Sequence, residues 1–278
     1  MVHLLAAIAT DAEHMPSLLY TLKGVVVPPD RVAGGETWGV GYYADDQALT
    51  IRKPGELVGN RSFFDLASTV KSRVLIALLQ RGHTKSQHAP PHRFRRWLFG
   101  AVGDVSALSV LRGKILEATP EFIKSELGDA GPSELAFAMF LRELHAKNLL
   151  TDPLVDPPTL AGALKRTSEA MEMLSAEAGI EPPTAGLVAT NGRVLLAATG
   201  NTSPGLHWQI REGLELPPEA PIKPTTTDPQ KLAESLKRFR AFVLGAGAGV
   251  PPSQWQAVAP STTLWVDRNL VVTPYEKV

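Results

Sequence analysis

An α+β fold is predicted by three features of this sequence. Apolar runs of strand length fill its opening third, two long stripes of helical period occupy the middle, and strand-like runs divided by turn residues return over the final third.

In chain order, residues 2–9 (Val-His-Leu-Leu-Ala-Ala-Ile-Ala) read as a first buried strand, and residues 16–22 as a short helix with Leu18, Leu19 and Leu22 on one side. Residues 25–35, rich in Pro and Gly, read as loop. Residues 37–43 and 49–53 read as a hairpin around Asp45-Asp46, followed by a helix over 62–70. The apolar runs 73–79 and 97–101 have the composition of central strands. A helix is expected over 133–147, with Ser133 as its N-cap and Glu134 near the positive end of the dipole. Another spans 160–178, with Leu160, Leu164, Thr167, Met171 and Leu174 on one stripe. Residues 187–190 and 193–198 flank Asn191-Gly192, the strongest short hairpin signal. Runs at 206–211, 241–244, 263–266 and 270–273 complete the strands. Between them, residues 212–230 hold Pro217, Pro218, Pro221, Pro224 and Thr225-Thr226-Thr227, and read as an exposed, linker-like loop. No internal repeat is visible.

Composition excludes several classes. With 44% hydrophobic and 20% charged residues the chain is an ordinary globular one, and its zero net charge gives no overall pull towards nucleic acid or membrane. The absence of cysteine excludes disulfides and thiolate metal sites and fits a reducing cytoplasm. The apolar run at residues 4–9 lacks a basic segment before it and meets Asp11 and Glu13, so it does not read as a signal peptide. No run approaches the roughly 18 apolar residues of a membrane span.

Five segments carry a resemblance: Met1-Val2-His3-Leu4-Leu5, Trp38-Gly39-Val40-Gly41-Tyr42-Tyr43, the run 73–81, His92-Arg93-Phe94, and Trp97-Leu98-Phe99-Gly100-Ala101-Val102-Gly103. In this order and spacing they resemble the class II glutamine amidotransferases, a branch of the N-terminal-nucleophile hydrolases. That family begins Met-Cys-x-Leu-Leu and continues with Gly-Trp-Gly-x-Gly-Tyr-Tyr, an Ala-His-x-Arg strand, a His-Pro-Phe turn and Leu-Phe-Ala-His-Asn-Gly. The likeness covers most of the chain, strongest over 1–104 and weaker after 180. It implies a four-layer αββα sandwich and a single domain over 1–278.

The positions that carry the family's chemistry depart from it together. The family nucleophile is a cysteine exposed by removal of the initiator Met, its own amine serving as base; the matching residue here is Val2. The Arg that holds the substrate carboxylate matches Gln80, and a neutral amide cannot make the bidentate, charge-assisted fork of Arg. Arg81 is adjacent, but one step along a strand turns a side chain to the other face. The Asn that donates to the oxyanion matches Val102, while the following Gly103 is kept; loss of one such donor costs roughly 100- to 1,000-fold in rate. The Asp that grips the substrate amine precedes a Ser-Glu pair, and here Pro132 precedes Ser133-Glu134.

Other candidates read more simply. His83, His88 and His92 have no zinc spacing and no completing ligand, and His92 matches the family's structural His. Gly245, Gly247 and Gly249 are followed by Pro251-Pro252, so no helix N-terminus faces them and they read as a flexible turn. No metal and no cofactor is expected. Trp38, Tyr42 and Tyr43 read as packing, and no Gly-x-Ser-x-Gly elbow exists. Between Asp65 and Asp104 there is no acid, while Arg81, Lys85, Arg93, Arg95 and Arg96 crowd the interval. They form either a solvated rim or a docking surface for an acidic partner or an anion, without the motifs of a nucleic-acid binder. The expected function is a catalytically inactive amidotransferase-like scaffold that binds a protein partner, itself, or a small ligand in the vacated pocket. The alternative is a hydrolase or amidase with cysteine-independent chemistry in the same pocket.

Overall fold

The computed structural model describes residues 2–22, 36–53, 69–81, 90–127, 130–202, 205–216, 228–247 and 254–276. The apolar run at the N-terminus becomes β1 (Val2–Ala9), which lies between β4 (Val74–Arg81) and β10 (Arg240–Ala246). Beyond β4 stand β2 (Glu36–Ala44) and the edge strand β3 (Gln47–Lys53), joined by the Asp45-Asp46 turn. Beyond β10 stand β9 (Leu206–Glu212) and the two-residue β11 (Gln256–Ala257). This first sheet therefore runs β11-β9-β10-β1-β4-β2-β3. A second sheet contains β5 (His92–Phe94), β6 (Trp97–Asp104), β7 (Thr184–Thr190), β8 (Leu195–Thr199), β12 (Thr263–Val266) and β13 (Val272–Pro274), in the order β13-β12-β8-β7-β6-β5. Pairing among the described strands is antiparallel throughout.

Strand alternation builds the layers. Leu4, Ala6 and Ile8 of β1 pack with Ile76 and Leu78 of β4 against Leu98, Val102, Val188 and Ala197 of the second sheet. The alternate residues Leu5, Ala7 and Ala9 pack instead with Met15, Leu18 and Leu19 of α1 (Met15–Thr21). On the far side, Phe99, Ala101, Leu187 and Ala189 pack against a second helical layer. That layer follows α2 (Arg112–Glu117) and α3 (Glu121–Leu127), and consists mainly of α4 (Pro132–Ala146) and α5 (Pro157–Glu177). The expected stripe of α5, Leu160, Leu164, Thr167, Met171 and Leu174, is buried. The architecture is thus the αββα sandwich. Both β1 and β4 are covered on each face, which is why they read as unbroken apolar runs.

Close approach of the sheets depends on a missing side chain. A Cβ at Gly39 would overlap the carbonyl oxygen of Pro90. Tyr43 of β2 then fastens the two sheets. Its buried hydroxyl lies 2.7 Å from the Arg96 carbonyl and 2.9 Å from the Thr190 carbonyl, so one proton serves two turns of the second sheet. Burial pushes this hydroxyl well above the ordinary tyrosine range. Tyr43→Phe is expected to lower unfolding free energy by about 1–2 kcal/mol, because two buried acceptors lose their donor. Urea denaturation measures this, and an unchanged midpoint would remove the fastener role.

The structure corrects several expectations. Gly131 caps α4 instead of Ser133, and Pro132 occupies the first helical position, where its missing N–H is no loss. Glu134 does sit in the first turn, and its carboxylate accepts the Gly131 N–H at 3.0 Å. The 212–230 loop is shorter than expected: Glu212 ends β9, and α6 (Pro229–Arg238) starts with Asp228 capping Gln230 and Lys231. Gly245 lies within β10, and Gly247 follows it at φ 122°. β5, β11, α2, α3 and α6 are additional elements. The expected loop 25–35, most of the expected helix 62–70, and residues 217–227 lie outside the described residues. No helix among the described residues is long and apolar enough to cross a membrane.

Candidate functional site

The register of the first sheet aligns the family-matched positions in rows. Val2 pairs with Gln80 across β1 and β4, and Gln80 with Thr37 of β2. Two residues along, Leu4, Leu78, Gly39 and Arg52 form a parallel row. Val102 faces these rows from the second sheet, 1% exposed and packed in one apolar cluster with Leu4 and Leu78. Gly103 follows at φ 90° and is exposed. β6 ends at Asp104, whose carboxyl Ser106 holds below the ordinary range by hydrogen bonding. The side chains of Val2, Gln80 and Arg81, and all of Lys85, His83 and His88, lie outside the described residues. Pro132 is not in the Val102 cluster; it begins α4.

A polar cavity of about 200 Å3 opens where the edge strands β3 and β5 meet α3 and α4. Its walls include Arg52, His92, Arg93, Glu126 and Glu134. Arg52 reaches it because its position pairs with Gly39, on the face turned towards the second sheet. Its guanidinium donates to the Pro91 carbonyl at 3.0 Å. Burial pulls its pKa below the ordinary arginine range, an effect that nearby Glu134 opposes. His92, 3% exposed, stacks on Phe137; its Nε2 is 2.7 Å from Ser133 Oγ and its Nδ1 is 3.8 Å from a Glu134 carboxylate oxygen. Serine, histidine and carboxylate in this order are the parts of a nucleophilic relay. Ser133 is absent from the cavity wall, however, and Glu134 already serves the Gly131 cap. The trio therefore clamps β5 to the start of α4. Sequence reasoning singled out His92 and Ser133-Glu134 but missed Arg52, whose signal was its pairing with a glycine-bearing strand.

Of the basic interval, Arg93, Arg95 and Arg96 lie on the β5–β6 hairpin, and Arg81 ends β4. Arg95, at φ 51°, lies over the rings of Phe94 and Phe122 at 5.4 and 5.8 Å. Arg93 donates to the Ala48 carbonyl at 3.2 Å. Arg96 Nε is buried with no hydrogen-bond partner among the described residues. Nor, among the described residues, does any group of three or more His, Cys, Asp or Glu suit a metal ion.

Solved structures are similar to this chain over nearly its whole length. A glutamine aminotransferase class-II domain protein from Silicibacter pomeroyi has 15% identity and a TM-score of 0.58, covering 99% of this chain and 100% of its own. A predicted glutamine amidotransferase from Pseudomonas aeruginosa has 12% identity and a TM-score of 0.55, covering 99% and 96%. The B. subtilis glutamine phosphoribosylpyrophosphate amidotransferase, complexed with ADP and GMP, has 10% identity and a TM-score of 0.54; the match covers 99% of this chain but 49% of that one. No family model and no curated protein matches the sequence. At these identities the likeness is one of fold. The chain has the fold of the class II glutamine amidotransferases, of the N-terminal-nucleophile hydrolase type.

Proposed function

We propose that this protein is a catalytically inactive amidotransferase-like scaffold, formed as one domain over residues 1–278 and acting in the cytoplasm through a protein partner. One observation carries the reading: on this amidotransferase fold the chain has no cysteine at any position, and Val2 stands where the nucleophile would be. The burial of Val102 among Leu4 and Leu78 supports it, since an apolar side chain there excludes the water and polar groups an oxyanion site needs. The purified protein is expected to release no ammonia from glutamine or γ-glutamyl amides in a coupled assay. Val2→Cys alone is expected to restore none, because Gln80, Val102 and Pro132 lie on other elements. Turnover that responds to changes at residues 2, 80 or 102 would overturn the reading and favour cysteine-independent amidase chemistry.

The docking surface in this reading is the basic hairpin, with Arg93, Arg95 and Arg96, and with Arg81 and Lys85 preceding it in sequence. Arg93 and Arg95 are exposed residues of like charge on this hairpin, which favours an acidic partner. Because Arg95 packs on two rings, charge reversal there would also disturb packing, so the cleaner change is Arg93→Gln with Arg95→Gln. Poly-glutamate is expected to bind the parent protein about tenfold more tightly than this double variant at low salt, with the difference closing near 0.5 M salt. Equal binding at low salt would exclude the surface.

A further inference from the structure

Two complementary surface features lie side by side where α4 ends. The first is a cation held on aromatic rings. Arg95 is exposed and lies over the rings of Phe94 and Phe122, which fixes its guanidinium in place. Among the described residues it has these ring contacts and no ion pair. The acid next to Phe122 on α3, Glu121, pairs with Lys124 at 2.7 Å instead. Phe122 is 40% exposed, and its ring is in edge contact with that of His145, at the end of α4, at 5.1 Å. The second feature is the loop 151–156 (Thr-Asp-Pro-Leu-Val-Asp), which leads into α5. Its Leu154 is 74% exposed. One carboxylate oxygen of Asp152 accepts the Leu154 N–H at 2.8 Å, which holds a negative charge beside that side chain. Trp97 ties the two features together. It closes the Arg95-Arg96 turn, and its indole donates to the Leu150 carbonyl at 3.1 Å.

We propose that the acidic partner of the basic hairpin is a second copy of this chain, related by a two-fold axis that passes between the hairpin and the loop. Because the two features are neighbours, one axis lays each copy's hairpin on the other's loop, and the same contact is made twice. The loop supplies what the hairpin lacks, an exposed acid fixed beside an exposed apolar side chain. Leu154 of the partner subunit covers the exposed part of the Phe122 ring, and the partner's Asp152 pairs with Arg95. Burial of the leucine and the ring drives association, while the charges steer the encounter and fix its register. The inference rests on the scaffold reading and names the partner of its docking surface.

Sedimentation velocity of the full chain over a concentration series reads the association. The parent is expected to form a dimer that weakens as salt rises to about 0.5 M. Leu154→Ser, at a residue outside the core, is expected to raise the dissociation constant about tenfold. Arg95→Glu and Asp152→Arg each set like charges against one another, and each variant alone is expected to be monomeric. Mixed in equal amounts the two variants are expected to dimerise, because both contacts of the mixed pair then join opposite charges. A parent that stays monomeric up to about 1 mM overturns the inference. So does a dimer indifferent to Leu154→Ser, or a mixture that stays monomeric although circular dichroism shows both variants folded. Should Arg95→Glu unfold, Leu154→Ser and Asp152→Arg still decide. A monomeric parent with poly-glutamate binding intact removes the second copy alone and leaves the hairpin to another acidic protein; loss of poly-glutamate binding as well removes the docking surface.

Discussion

Val102→Asn, which puts an amide where the sequence resemblance implies one in the amidotransferases, is expected to destabilise the protein by about 3 kcal/mol and to confer no activity. Val102 is 1% exposed and belongs to an apolar cluster with Leu4, Leu78, Leu98 and Val188, so an amide there is buried in largely apolar surroundings. Transfer of an unsatisfied amide costs about 1–3 kcal/mol on the protein scale, and lost packing adds to it. Val102→Ala separates the two contributions, since it removes volume without adding a polar group. Urea denaturation of the three proteins supplies the comparison. An asparagine variant as stable as the parent would mean that polar groups or water reach this position, and a residual site would then have to be sought.

Phe137→Ala and Phe140→Ala are expected to cost about 3–5 kcal/mol each, with the second the larger. Phe137 stacks on Phe99 at 5.1 Å and on His92 at 6.3 Å, and also lines the polar cavity beside Arg52 and Glu134. Its removal joins the new void to a space that admits water. Phe140 lies between Trp97 at 5.3 Å and Phe99 at 6.0 Å, fully enclosed, and its removal leaves a dry void. Equal costs would mean that the cavity is closed to solvent. A larger cost for Phe137 would mean that its ring holds His92 in place for the Ser133 contact.

The strands were legible in the sequence wherever burial on both faces wrote an unbroken apolar run, as in β1, β4 and β6. The Asn191-Gly192 turn was legible for a chemical reason: Gly192 takes φ 85° and the Asn191 side chain accepts the N–H groups of Arg193 and Val194. Short elements were not. The six residues of α2 and seven of α3 pass through too few turns to show a period, and β5 is three residues held by its partner β6. Ser133 looked like a cap because serine favours that position, but its hydroxyl is used by His92, and Gly131 with Glu134 does the capping. Of the candidate site, the burial of Val102 could be read from sequence. That Arg52 and Glu134 face one cavity could not, because they meet only when the edges of both sheets come together under α4.

The position of β1 between β4 and β10 also has a bearing on synthesis at the ribosome. β1 emerges before both its neighbours: β4 can cover one of its edges once residue 81 is out, but the strand that covers the other edge ends at Ala246. From the emergence of residue 81 to that of residue 246 the nascent chain therefore carries an apolar strand with one side open, a template for mispairing with neighbouring chains. Slowing elongation before β10 should lengthen that exposure and raise aggregation, whereas slowing it after residue 246 should not. A holdase would be needed most during that interval, when β1 waits for a strand that starts only at Arg240.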